Sequence, residues 1–109
     1  MERLCKITLE ISGYRQDQEK EIIKACMVEW NFGEDDFFHQ PDNDGLHMIL
    51  GASAIGCLYA DYDEKDIIGR LERAVWRING SVCHVKVRAM RLNKSGVIGV
   101  SIDEELQIA

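Results

Sequence analysis

The stretch L-G-A-S-A-I-G-C-L-Y-A-D-Y-D-E-K-D, Leu50 to Asp66, decides what kind of sheet this chain builds. Gly51 and Gly56 ahead of a helix start have the outline of a phosphate-binding loop, which would make the protein a nucleotide binder. Such a loop needs G-x-x-x-x-G-K-[ST], with lysine on the phosphates and the hydroxyl on magnesium, directly before the helix that holds the anion. Here Gly56 is followed by Cys57 and Leu58, and the helix begins only near Asp63. Asp61, Asp63, Glu64 and Asp66 stand where the anion would sit, and they repel it. The dinucleotide spacing G-x-G-x-x-G fails as well, because Gly51 and Gly56 have no third partner in register. The segment therefore reads as a long strand that its small residues bend, bulge or bring close to a neighbour.

The flanking sequence agrees with a strand there. From Cys5 to Gly13, C-K-I-T-L-E-I-S-G sets Cys5, Ile7, Leu9 and Ile11 against Lys6, Thr8, Glu10 and Ser12. A period of two with β-branched residues is a half-buried strand. Asp17 is positioned to cap a helix whose apolar residues Ile22, Ile23, Cys26, Met27 and Trp30 recur at helical spacing, with Gly33 as its C-terminal stop. D-D-F-F-H-Q is a short strand, and P-D-N-D-G reverses the chain into L-H-M-I-L. Asp63 and Asp66 have the spacing of a capping box for a second helix, whose stripe is Ile67, Ile68, Leu71, Val75 and Ile78 and which Asn79 and Gly80 close. Cys83, Val85, Val87 and Ala89 then alternate with His84, Lys86 and Arg88.

This order, βαββαβ, predicts an α+β, ferredoxin-like domain over residues 1–92: a four-stranded antiparallel sheet, first and third strands central, both helices on one face. Residues 93–109 form a C-terminal extension. Val97, Ile98, Val100 and Ile102 suit either a fifth edge strand or an arm that packs on a partner.

At 109 residues, 46% hydrophobic and 29% charged, the chain has the composition of one globular domain that removes roughly two-thirds of its unfolded surface from water. The longest apolar-leaning run, Met48 to Ala60, falls short of the about 20 residues a membrane helix needs. The first ten residues lack the apolar block of a secretion signal, so a cytoplasmic protein is expected. A net charge of −6 disfavours nucleic acid and anionic membranes, which attract basic surfaces. Cys5, Cys26, Cys57 and Cys83 include no C-x-x-C pair, so no zinc ribbon is expected, and Cys5, Cys26 and Cys83 read as reduced, buried residues.

Several further constellations bear on chemistry. Asp42, Asp44 and Gly45 echo a calcium loop, but Gln40 and Gly51 stand where it requires acids. His39, His47 and His84 share no metal-binding motif. Neither a metal nor another cofactor is expected, and no nucleophile elbow or activated cysteine supports catalysis. On the second helix Arg70, Arg73 and Arg77 form a basic stripe, with Glu64 and Glu72 expected to pair it in solvent. Trp76 lies beside the apolar stripe and would suit the border of an interface. The face without helices carries Lys6, Thr8, Glu10, His84, Lys86 and Arg88, a basic-leaning surface on an acidic protein and the candidate binding site. The first and third strands bring no aromatic residue to it before Tyr59, which disfavours the base stacking that RNA-binding sheets of this topology use.

The stretch D-E-K-D-I-I-G-R-L-E-R-A-V-W-R-I-N-G-S-V-C-H-V-K-V-R-A-M-R-L, Asp63 to Leu92, resembles a type of small αβ protein found in phage and prophage gene neighbourhoods. Those proteins share an acidic helix start, a W-x-x-N-G helix end and an alternating last strand. The resemblance implies origin and carries over no activity and no site residue. The function expected is a noncatalytic binding module, a homo-oligomer or protein-partner subunit working through the open sheet face. Two alternatives stand beside it. One is an acidic inhibitor or nucleic-acid mimic built on Glu34–Asp36, Asp42–Asp44 and Asp61–Asp66; the other is a small enzyme with a histidine and carboxylate pocket.

Overall fold

The computed structural model describes residues 3–42, 45, 47–59, 62–92 and 98–106, the last segment by its backbone. Its strands are β1 (Arg3–Ser12), β2 (Phe37–Pro41), β3 (Met48–Leu58), β4 (His84–Leu92) and β5 (Ile98–Leu106), and its helices are α1 (Glu19–Glu29) and α2 (Glu64–Asn79). All strand pairs are antiparallel, in the order β2-β3-β1-β4-β5. The protein is thus α+β, an antiparallel sheet with two helices. None of the helices described is long and apolar enough to cross a membrane.

Strict alternation in β1 and β4 does the work the sequence implies. Cys5, Ile7, Leu9 and Ile11 are at most 1% exposed. Their cross-strand neighbours on the same side are Gly56, Ala54, Ala52 and Leu50 of β3 and Arg91, Ala89, Val87 and Val85 of β4. Three alanines in these rows leave height above the sheet, and Ile22 and Cys26 of α1 with Ile67, Ile68, Leu71 and Val75 of α2 fill it. Both helices lie on this one face. Burial pushes the Cys26 thiol up to about 12, with the charge of Glu29 adding to it, and burial raises Cys83. Cys5, Cys26 and Cys83 are free and buried, whereas Cys57 is exposed.

The glycine stretch belongs to β3, which pairs with β1 from Leu50 to Leu58 with no shift of register. It is neither bent out of the sheet nor bulged. Each glycine instead lies under an aromatic ring. A Cβ on Gly51 would come within 2.7 Å of Phe38, and one on Gly56 within 2.9 Å of Trp30, distances shorter than van der Waals contact allows. Phe38 lies on the open face and Trp30 on the helix face, so the strand is thinned on both sides.

Trp30 also explains where α1 stops. The helix does not run to Gly33 as its periodicity suggests; Trp30 leaves it in an extended conformation, and Gly33 at φ −93° opens a one-turn 3₁₀ helix, Glu34–Asp36. Turning inward lets the indole N–H donate to the Ala54 carbonyl at 3.1 Å, while the Asn31 amide donates to the Ile55 carbonyl at 3.1 Å. Asp17 is likewise no cap. It sits in a one-turn 3₁₀ helix before α1 and pairs with Arg15 at 3.0 Å.

For α2 the capping box forms as read: Asp66 N–H donates to Asp63 at 3.0 Å, and Asp63 N–H donates to Asp66 at 3.0 Å. Gly80 ends the helix at φ +79°, a left-handed position where glycine avoids a Cβ clash. Asn79 is buried, accepting from the Arg15 backbone N–H at 2.7 Å and donating to the Ser81 carbonyl at 2.9 Å. It joins the α2 end to the loop after β1. Trp76 is occupied within its own chain, packed on the core with its N–H on the Cys83 carbonyl at 2.9 Å. Glu64 and Glu72 overturn their expected role in solvent: both are buried, at 1% and 5% exposure. Glu64 takes two hydrogen bonds from the Arg91 guanidinium, which reaches it from the helix-covered side of β4.

Candidate functional site

The opposite face of the sheet carries the other set of alternating residues. Register lines them up in rows: Ser12 beside His84, Glu10 beside Lys86, Thr8 beside Arg88, and Lys6 between Ile55 and Met90. All six residues expected there, Lys6, Thr8, Glu10, His84, Lys86 and Arg88, therefore share one surface. No described helix or loop covers it.

The fifth strand extends this face by register. Pairing of β4 with β5 puts Glu105 opposite Lys86 and Asp103 opposite Arg88. Three cations, Lys6, Lys86 and Arg88, then share the face with three acids, Glu10, Asp103 and Glu105. Register thus adds acidic positions of β5 to the edge of the surface expected from β1 and β4. Residues 93–97, the first part of the C-terminal extension, lie outside the described residues.

Along the strand direction the face divides in two. At one end sit Leu4, Cys57 and Leu92 in one row and Ile55, Lys6 and Met90 in the next. Leu4 is 41% and Ile55 50% exposed, so this end is apolar and open to solvent. At the other end a concavity of about 490 Å3 is lined by Glu10, Ser12, Gln40, Asp42, His84 and Lys86. There the Gln40 amide reaches across β3 to donate to Glu10 at 2.8 Å, and Ser12 Oγ lies 3.5 Å from His84 Nδ1. Thr8 and Ser53 share a hydroxyl hydrogen bond of 3.3 Å between the two ends. Sequence reasoning missed Gln40 and Asp42 because β2 meets this surface only through the hairpin. Leu4 and Ile55 had a signal, since both continue the open-face alternation.

His39 is placed elsewhere. Register puts it beside Leu50 on the helix-covered side of β2, where its Nε2 is 2.7 Å from the Glu19 carboxylate. The same carboxylate oxygen accepts from the buried Tyr14 hydroxyl at 2.5 Å. Burial, then the nearby Glu19, push the Tyr14 hydroxyl above its ordinary pKa, so it stays a neutral donor. Burial works to raise Glu19, but the hydrogen bonds from Tyr14 and His39 and the attraction of His39 outweigh it, and its pKa falls. A carboxyl lowered on folding stabilises the fold above its unfolded pKa, and that contribution is lost as pH falls through the folded value. Urea unfolding from about pH 7 down to about pH 3 is expected to show stability declining with acid in the wild type. The decline is expected to be smaller in Glu19→Gln, which is already weaker at neutral pH. Parallel profiles for the two proteins would show that Glu19 is not part of the acid response.

No group of three or more histidine, cysteine or acidic side chains among the described residues is arranged to hold a metal ion. His39 and His84 lie on opposite faces, and His47 is exposed before β3. The described acids do not gather on one face either. Asp36 accepts from Gly33 N–H, and Asp63 and Asp66 close the capping box. Asp42 and the α2 start lie beyond opposite ends of β3, a strand of 11 residues that spans roughly 35 Å. Asp44, of the calcium-like spacing, and Asp61 are outside the described residues. Comparison with family models, curated proteins and solved structures returned no match to the chain.

Proposed function

We propose that this protein is a noncatalytic binding module of ferredoxin-like, split βαβ topology with an added fifth strand, and that it self-associates through its open sheet face. The neighbours of β1, which are β3 and β4, support the topology. One observation carries the function: the exposed apolar end of the face, Leu4 and Ile55 beside Met90 and Leu92. Two such faces stacked about a two-fold axis along the strands put apolar end on apolar end, and a two-fold contact needs a surface complementary to itself. The hydroxyl and charged rows would then form its rim.

Ile55→Asp is the sharpest test, because residue 55 points away from the core and its change leaves the interior packing alone. Sedimentation equilibrium is expected to show a dimer for the wild type and at least about ten-fold weaker association for the variant, since a buried, unpaired carboxylate carries a heavy desolvation cost. A wild type monomeric at every concentration overturns the proposal, and so does a variant that dimerises equally well. Deleting residues 94–109 is a poorer probe, for it removes β5 and leaves the β4 edge unpaired.

A second reading draws support from the concavity. There Ser12, His84, Glu10 and Lys86 offer convergent donors and acceptors for a small polar ligand.

A further inference from the structure

The solvent side of α2 carries a one-sided charged surface. After the first turn, its exposed charged residues are Arg70, Arg73 and Arg77. Glu64 and Glu72 would neutralise them if they faced solvent, but both are buried. The remaining acids of the two helices are engaged too: Asp66 in the capping box, Glu19 with Tyr14 and His39, Glu21 with Lys24 at 3.5 Å, and Glu29 with Arg70 at 2.6 Å. Arg70 also donates to the Tyr62 hydroxyl at 2.6 Å. Among the described residues, no carboxylate lies within ion-pair distance of Arg73 or Arg77.

A second feature points the same way. Gly69, inside α2, is a poorer helix former than alanine. The space it leaves is taken by Arg73, whose guanidinium would be 3.1 Å from a Cβ at that position. Arg73 is thereby laid along the helix toward Arg70, although like charges one turn apart repel. A groove of about 240 Å3 runs between these arginines and Glu29, with buried Ala74 as its floor.

We propose that this groove docks an acidic helical segment of a partner protein through Arg70, Arg73 and Arg77. The arginines are about 4.5 and 6 Å apart along the helix axis, and glutamates at i, i+3 and i+7 of a second helix repeat that spacing. Guanidinium groups pair with carboxylates through two parallel hydrogen bonds. The groove is open along its length, which suits a helix laid beside it. A long polyanion meets the field of a chain of net charge −6, whereas a short segment carries few charges into it.

The test uses a fluorescent alanine-based peptide of about 15 residues with glutamates at i, i+3 and i+7. A peptide of identical composition with the glutamates out of register serves as control, and a single-stranded DNA of similar charge as competitor. Anisotropy at low salt is expected to show the matched peptide binding at least about ten-fold more tightly than the control. Binding should weaken with added salt, fall at least about ten-fold in the Arg73→Gln/Arg77→Gln double variant, and be only partly kept by Arg73→Lys/Arg77→Lys. Absence of binding, equal binding of both peptides, or binding unchanged in the glutamine variant overturns the proposal. Tighter binding of the DNA than of the matched peptide overturns it as well and makes the stripe a phosphate site.

Discussion

Trp30→Ala is expected to lower the unfolding free energy by about 3–5 kcal/mol, the range for truncating a large buried aromatic residue. Trp30 is 8% exposed and belongs to the core cluster. Its loss removes a ring that lies on Gly56 and a hydrogen bond to the Ala54 carbonyl. The cavity cannot fill from below, because the strand beneath has no side chain at that point. Denaturant unfolding monitored by circular dichroism reads the change directly. A loss under about 1 kcal/mol, a single hydrogen bond's worth, would mean that the ring contributes little beyond its N–H.

Gly56→Val is expected to cost about 1–3 kcal/mol through overpacking. The new Cβ would sit 2.9 Å from Trp30 Cζ2 and 3.2 Å from two further ring atoms. The ring cannot swing aside without losing its bond to Ala54. The diagnostic is the double variant: in the Trp30→Ala background Gly56→Val should cost much less, since its methyl groups then enter the space the ring vacated. Residues in contact show such coupling and independent ones add. Additive costs would show that valine disturbs the strand for a reason other than the ring.

Much of the architecture can be read in the chain because its signals are local. Alternation in Cys5–Ser12 and His84–Leu92 fixes both faces of two sheet strands, and Asp63, Asp66 and Gly80 mark both ends of α2. The end of α1 could not be read, because it depends on a ring finding a glycine 26 residues later in the sequence. The purpose of Gly51 and Gly56 was hidden for the same reason: rings from β2 and from the α1 end settle it. Periodicity also assigns Glu64 and Glu72 to solvent, and only the three-dimensional placement of Arg91 shows one of them paired and buried.

Of the candidate site, the six residues were legible as a face, and the strand that pairs beside β4 was not. Lys86 and Arg88 look basic in a reading of β4 alone, and the register of β5 sets Glu105 and Asp103 beside them. The apolar end was passed over because Leu4 and Ile55 flank the polar run instead of interrupting it.

The edges of the sheet carry a further consequence. β2 is a strand of only five residues that ends in Pro41; beyond its Phe37 start, the side chains of Trp30 and Asn31 occupy carbonyls of β3. At the far side the last strand holds three consecutive acids, Asp103, Glu104 and Glu105. Short length, proline, capped carbonyls and like charge all discourage a foreign strand from joining a sheet. Growth in the plane of the sheet is therefore disfavoured at both margins, which leaves the broad faces as the surfaces open to contact. The proposed self-association would then be finite, since a face-on pair would consume the surface that made it and leave no template for a third chain.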